Sequence, residues 1–264
     1  MAFFSVERRD AIAVVTFNRP PRNLMSMAAM TELEGVLGEL AGDDTVNVVV
    51  ITGGVPGYFV AHADVEDLAR LGRGEPVDGD PGSWARAFAL LESMPQPVIA
   101  AINGQAWGGG CELSLACTLR VAAASAHLGQ PEVLVGIIPG GGGTQRLPRL
   151  IGAGRAANLI LTGRIIDAEE ALRIGLVEAV LPDDGFLEEA LAFAGTIAAL
   201  PRAAVVAAKR AIIEGLRLPL DEGLRLEAGL FLECQIGPDA IRLEQAAADR
   251  YRDADPDEHL HLGS

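Results

Sequence analysis

An α/β fold with a helical C-terminal third is what this 264-residue chain predicts, on three observations. Runs rich in β-branched residues alternate with helix-period stretches over the first two thirds of the sequence. Glycine and proline punctuate most of the junctions between them. From Asp167 onward the strand-like runs give way to a succession of amphipathic segments. With 50% hydrophobic residues, the chain has ample material for a packed interior.

Taken in order, Ile12–Phe17 (IAVVTF) reads as a strand, and 27–40 carries apolar residues at helical spacing. Residues 46–52 form a second β-branched run, followed by a short helical pattern at 65–71. The segment 72–82 (GRGEPVDGDPG) is a loop by composition. A helix over 84–94 leads to strands at Val98–Ile102 and Leu119–Ala123, with a helix at 111–117 between them and another beginning near Gly143. Strands separated by helices imply parallel pairing. Beyond a short strand at 176–180, helices are predicted at 167–174, 186–200, 202–214, 220–233 and 239–252. This divides the chain into a core over 1–195 and a helical region over 196–264, whose tail DADPDEHLHLGS is polar, acidic and expected to fray.

Charge narrows the function classes. The chain has 21 basic against 36 acidic residues, a net charge of −15, which argues against nucleic acid or an anionic membrane as a partner. Lys209 is the single lysine, so cationic contacts to a phosphate fall mostly to arginine. Cys111, Cys117 and Cys234 are odd in number and lack metal-ligand spacing, the pattern of reduced intracellular thiols. The start MAFFSVERRD has no long apolar core of a secretory signal, and no apolar run is long enough for a membrane span. A cytoplasmic protein is expected.

Between Glu92 and Asp167 lie 74 residues, of which only Glu112 and Glu132 are acidic. A random draw from this composition would put about ten acids there. Ten of the 31 glycines fall between Gly104 and Gly143. Gly108–Gly110 precede an apolar helix pattern, so Glu112 falls in a first turn where peptide N–H groups lack internal partners. Such a helix start suits a developing oxyanion. Each glutamate alone could equally be ordinary helix-dipole complementation. Their isolation together, beside anion-ready backbone, makes them candidates for acid/base chemistry.

The linked segments AAINGQAWGGGCELSLAC and GQPEVLVGIIPGGGGTQRLPRLIG resemble the enoyl-CoA hydratase/isomerase, or crotonase, superfamily. The resemblance extends to VTFNRPPRNLMSM, VVVITG, AHADVEDL, LTGRIIDAEEALRIGLVEAVLP and AAKRAIIEGLRLPLDEGLRLEAGLF. It implies a crotonase-like ββα spiral with a C-terminal helical trimerisation region, assembled as a homotrimer or a dimer of trimers. It implies an acyl-CoA thioester whose carbonyl oxygen lies between the N–H groups of Ala61 and Gly109. Glu112 would hold and activate water, and Glu132 would exchange the proton at Cα. Substrate contacts are expected at Leu24, Ala61, His62, Ala63, Asp64, Gly109 and Arg250. No metal or redox cofactor is implied, since coenzyme A is part of the substrate.

The resemblance has gaps. His62 stands where the family's A-G-x-D segment carries glycine, so its ring either joins the site or points away from it. Thr118 replaces a common aspartate, and the C-terminal stretch Arg242 to Tyr251 keeps Arg250 as the best cation for a CoA phosphate. Hydration of a trans-2-enoyl-CoA is the leading expectation. The alternatives are an isomerase or an acyl-CoA or diketone hydrolase using Glu132 alone, with Glu112 reduced to helix capping, or a binding protein that has lost turnover.

Overall fold

The computed structural model describes residues 2–253, so the acidic tail 254–264 lies outside the described residues. Strand β1 (Phe4–Arg9) pairs antiparallel with β2 (Ile12–Phe17), with Phe4 opposite Phe17. Helix α1 (Met27–Ala41) starts at Ser26, whose hydroxyl accepts the Ala29 N–H, and buries Met30, Leu33 and Leu37 along one stripe.

The chain then repeats a strand–strand–helix turn. The first turn is β3 (Val48–Gly53), β4 (Gly57–Val60) and α2 (Val65–Gly72), after which α3 (Ser83–Ser93) packs on α1. The second is β5 (Val98–Ile102), β6 (Gly104–Trp107) and α4 (Gly109–Ala116). The third is β7 (Leu119–Ala123), β8 (His127–Gly129), a 3-10 turn over Glu132–Val135 and α5 (Gly143–Ile151). There follow α6 (Ala153–Thr162), β9 (Ile165–Asp167), α7 (Ala168–Ile174), β10 (Ala179–Leu181) and α8 (Phe186–Ala198).

Each turn gives its first strand to one sheet and its second to another. The six-stranded sheet has the order β1-β2-β3-β5-β7-β10 and is parallel except for β1. The four-stranded sheet has the order β4-β6-β8-β9 and is parallel except for β9. Strands β3 and β5 are covered on both faces, which is why VVVIT and VIAAI are continuous apolar runs rather than alternating ones.

The structure corrects the sequence expectations at three places. The whole four-stranded sheet, and β1, were not among the predicted strands. Strands β4, β6, β8 and β9 are three or four residues long, too short to display a period of two. The helical run from Gly143 is two helices, broken at Gly152, which has φ +85°. The strand predicted at 176–180 begins later, because the Leu176 and Val177 amides fold back onto the Ala171 carbonyl at the end of α7.

Two compact units result, one ending at Ala199 and the other beginning at Leu200. The second comprises α9 (Arg202–Gly215), α10 (Leu220–Gln235) and α11 (Pro238–Asp253). Within it Leu216, Leu220, Leu224, Phe231, Leu232 and Ile236 are exposed. No single helix among the described residues is long and apolar enough to cross a membrane.

Candidate active site

Strands β4, β6 and β8 run parallel, so the chain leaves all three on the same side of their sheet. The three exits are 61–64, 108–109 and 130–132. Convergence of loops beyond the carboxyl ends of parallel strands is the usual origin of a site in α/β folds. Here they border a cavity of about 530 Å3 whose wall includes Met27, Leu68, Trp84, Trp107, Leu134 and Ile138. His62, Ala63, Gly109, Glu112 and Glu132 also line it.

The second exit makes the sharpest turn. Gly108 adopts φ 50° and ψ −120°, and a Cβ there would lie 3.0 Å from Glu132 Oε1. Its N–H donates to the Gly129 carbonyl at 2.9 Å, tying the second exit to the third. Gly110 must approach β4 closely, since a Cβ would come within 1.9 Å of the Val60 carbonyl oxygen. Gly109 opens α4, where an N–H has no partner inside the helix. All eight residues of α4 are buried, Glu112 included at 3% exposure.

In the first exit, Ala63 forms a parallel bridge with Met25. The bridge uses the His62 carbonyl, which accepts from Met25 N at 2.9 Å, and the Asp64 amide, which donates to Met25 O at 2.8 Å. Backbone groups alternate in direction along an extended segment, so the Ala63 N–H points away from Met25. It donates to no group among the described residues. The Ala61 N–H, by contrast, is bonded to the Asn23 carbonyl at 3.1 Å. Asn23 is itself fully buried, its Nδ2 donating to the carbonyls of Phe17, Tyr58 and Phe59.

The two carboxylates are held differently. Glu112 Oε1 accepts from Gly141 N at 2.7 Å and Gly143 N at 2.8 Å, while its Oε2 accepts no hydrogen bond among the described residues. Burial pushes its pKa up, opposed by those two N–H bonds and by the charge of Arg146. Glu132 begins the 3-10 turn. With its amide nitrogen turned to the carboxylate, the orientation that gives both ends of the amide a partner, buried Gln130 donates to Glu132 Oε1 at 2.9 Å and Oε2 at 3.2 Å. Burial is the chief reason that the Glu132 pKa is raised to about 7, with the Glu112 charge acting in the same direction.

The model of the family described as enoyl-CoA hydratase/isomerase matches residues 7–240. This chain belongs to that family. It is 41% identical over 234 residues to a short-chain-enoyl-CoA hydratase of Clostridium acetobutylicum, covering 87% of this chain and 88% of the relative. It is 39% identical to a 2,3-dehydroadipyl-CoA hydratase of Escherichia coli, covering 88% and 89% of the two chains. The crystal structure of an enoyl-CoA hydratase from Bacillus anthracis superimposes with a TM-score of 0.86 at 40% identity, covering 95% of this chain and 96% of that one.

Within this crotonase framework the structure corrects one expected donor. Ala61 cannot supply a free N–H, because Asn23 already accepts it and the residue does not line the cavity. The available N–H two residues on is that of Ala63. The register of a short extended segment decides this, and no motif spelling reveals it. Asp64 and Leu24 do not line the cavity either. Asp64 caps α2 by accepting from Glu66 N at 3.0 Å and pairs with Arg19 at 2.7 Å, while the Leu24 carbonyl accepts from the same guanidinium. Arg250 is an exposed residue of α11 in the second unit.

Glu112 does not cap its own helix. Its partners lie 29 and 31 residues away, in the loop before α5. His62 takes part in the cavity wall, and its ring Nδ1 lies 2.7 Å from the Ala63 carbonyl, which makes Nδ1 the protonated nitrogen. Sequence reasoning missed Gln130, Arg146 and both tryptophans. Gln130 was detectable only as a polar side chain next to Glu132 in an apolar stretch.

The raised pKa of Glu132 has a consequence for stability. A carboxyl whose folded pKa lies above its unfolded value loses folding free energy as pH rises from about 4.5 to about 7. Glu132→Gln removes that loss. The variant is expected to melt above the native chain at pH 8 and level with it at pH 4.5. A melting-temperature difference that stays constant across that range would show that the Glu132 pKa is not raised on folding.

Proposed function

We propose that this chain adds water across the double bond of a trans-2-enoyl-CoA to give a 3-hydroxyacyl-CoA, and catalyses the reverse elimination. The observation that carries it is the meeting of two unlike carboxyls with the N–H groups of Ala63 and Gly109 on one cavity wall. The thioester oxygen lies between those two donors, which draw electron density from the β carbon. They hold the enolate that forms, a role in which loss of one donor costs about 10²–10³ in rate.

Glu112 works as a base with one oxygen occupied. Gly141 and Gly143 engage Oε1, leaving Oε2 to hold water. As the water oxygen bonds to the β carbon, its proton passes to Glu112. Glu132 delivers a proton to the α carbon as the enolate collapses. The two carboxyls end with the proton exchanged between them, and once the product has left, exchange with solvent water deprotonates Glu112 and reprotonates Glu132. Only acid/base groups and peptide dipoles are used, so the scheme calls for no metal or redox group. The hydratases among the relatives support hydration over isomerisation, as does a Glu112 bound by a loop far from its own helix.

The apolar surface left by α9, α10 and α11 supports a homotrimer or a dimer of trimers, and the free thiols suit a reducing cytoplasm. Light scattering on the purified chain should give three or six times 27.6 kDa. A monomer would refute the assembly.

Active enzyme is the singly protonated carboxyl pair in both directions, because the equilibrium links the two specificity constants. The expected kcat/KM is therefore bell-shaped, with an alkaline limb near pH 7 common to hydration and dehydration. Different limbs for the two directions would sink the shared-proton scheme. Glu112→Gln should lower hydration of crotonyl-CoA by about 10²–10⁴-fold while sparing any double-bond isomerisation. Retention of hydration would remove Glu112 from its role.

His62 is assigned to the wall and not to the acid/base pair. His62→Gly should keep kcat within about tenfold of the native value, well short of the general acid–base range. A fall to the level of the Glu112 variant would make His62 catalytic.

A further inference from the structure

Gly141 is bonded on both sides. Its N–H donates to Glu112 Oε1 at 2.7 Å, and its carbonyl accepts from Arg146 Nη1 at 2.8 Å. Arg146 lies in the first turn of α5 and reaches back over the start of its own helix. The guanidinium has two further partners. Nε donates to Glu92 Oε1 at 2.6 Å, and the group lies 5.6 Å from the centre of the Phe88 ring. Glu92 and Phe88 both belong to α3. A continuous path thus runs from α3 through Arg146 and one peptide unit to the oxygen that fixes the water-holding carboxylate. Arg146 does not line the cavity.

We infer that Arg146 is a positioning residue for Glu112, holding the loop 139–143 against α3 so that Gly141 and Gly143 present their N–H groups to one carboxylate oxygen. The inference rests on hydration as the reaction. A planar guanidinium suits the place because two of its donors must point to Glu92 and Gly141 at once, which a single ammonium cannot match. The titratable and charged groups around Glu112 are Arg146 from α5, Glu132 from the 3-10 turn, Cys111 on its own helix, His62 across the cavity and Glu92 behind Arg146. Arg146 is the permanent cation of that set.

Charge and geometry separate in two variants. Arg146→Met removes both. Its kcat for crotonyl-CoA hydration should fall by about 10- to 100-fold, the cost of a small misplacement of a reacting group, with KM nearly unchanged. Glu112 must be anionic to take the water proton, and loss of a nearby cation raises its pKa. The acidic limb of kcat should therefore move to higher pH in Arg146→Met.

Arg146→Lys keeps the charge and loses the fork, so kcat should be intermediate with the acidic limb near its native pH. A native kcat and native limb in Arg146→Met would overturn the inference. So would a fall in kcat with an unmoved limb, which marks a merely structural arginine. If circular dichroism shows Arg146→Met unfolded, Arg146→Lys decides: a native kcat overturns, and a reduced kcat at native KM supports. A native enzyme that fails to hydrate any enoyl-CoA would instead overturn the hydration reading itself.

Discussion

A carboxylate inside an apolar wall stays useful only if its charge is met by donors, and Glu112 meets this through two peptide N–H groups on one oxygen. Much of the local architecture follows from that requirement. The donors come from the glycine run 140–143, where a main chain free of side chains can wrap around a carboxylate. Arg146 of α5 ties that loop to Glu92 and Phe88 of α3. The second oxygen accepts no hydrogen bond among the described residues. Burial raises Glu132 as well, to about 7, and the partner beside it is the neutral amide of Gln130. Two residues of one type thus meet unlike partners on one cavity wall.

The second constraint is the direction of backbone groups. Two unpaired N–H groups must reach one cavity, and each is left unpaired for a different reason. At Gly109 the reason is the start of a helix, whose first amides have no internal acceptor. At Ala63 it is the alternation along an extended segment, which commits the flanking His62 and Asp64 groups to Met25 and turns the intervening N–H away. Asn23 enforces the arrangement from behind by engaging three carbonyls and accepting the Ala61 amide on its own. Asp64 and Arg19 secure the next turn as a helix cap and ion pair.

Particular elements explain which parts were legible. Strands Ile12–Phe17, Val98–Ile102 and Leu119–Ala123 match their predicted bounds, and Val98–Ile102 shows why, since a strand covered on both faces reads as an unbroken apolar run. Glu112 and Glu132 stood out since an acid is costly in such company. The four-stranded sheet did not, as segments such as GQAW and HLG carry no periodicity to read. Arg146 was one arginine of many until its partners in α3 were known.

By itself the sequence determined the α/β core and the helical end and singled out the two carboxyls that line the cavity, because burial cost and hydrophobic period are written residue by residue. Only the tertiary structure decided that Ala63 and not Ala61 offers the free N–H, that Glu112 is bound by a loop about thirty residues away, and that His62 belongs to the wall. Those outcomes depend on which peptide groups find partners in the folded chain. Pairing between distant segments settles that, and no local pattern encodes it.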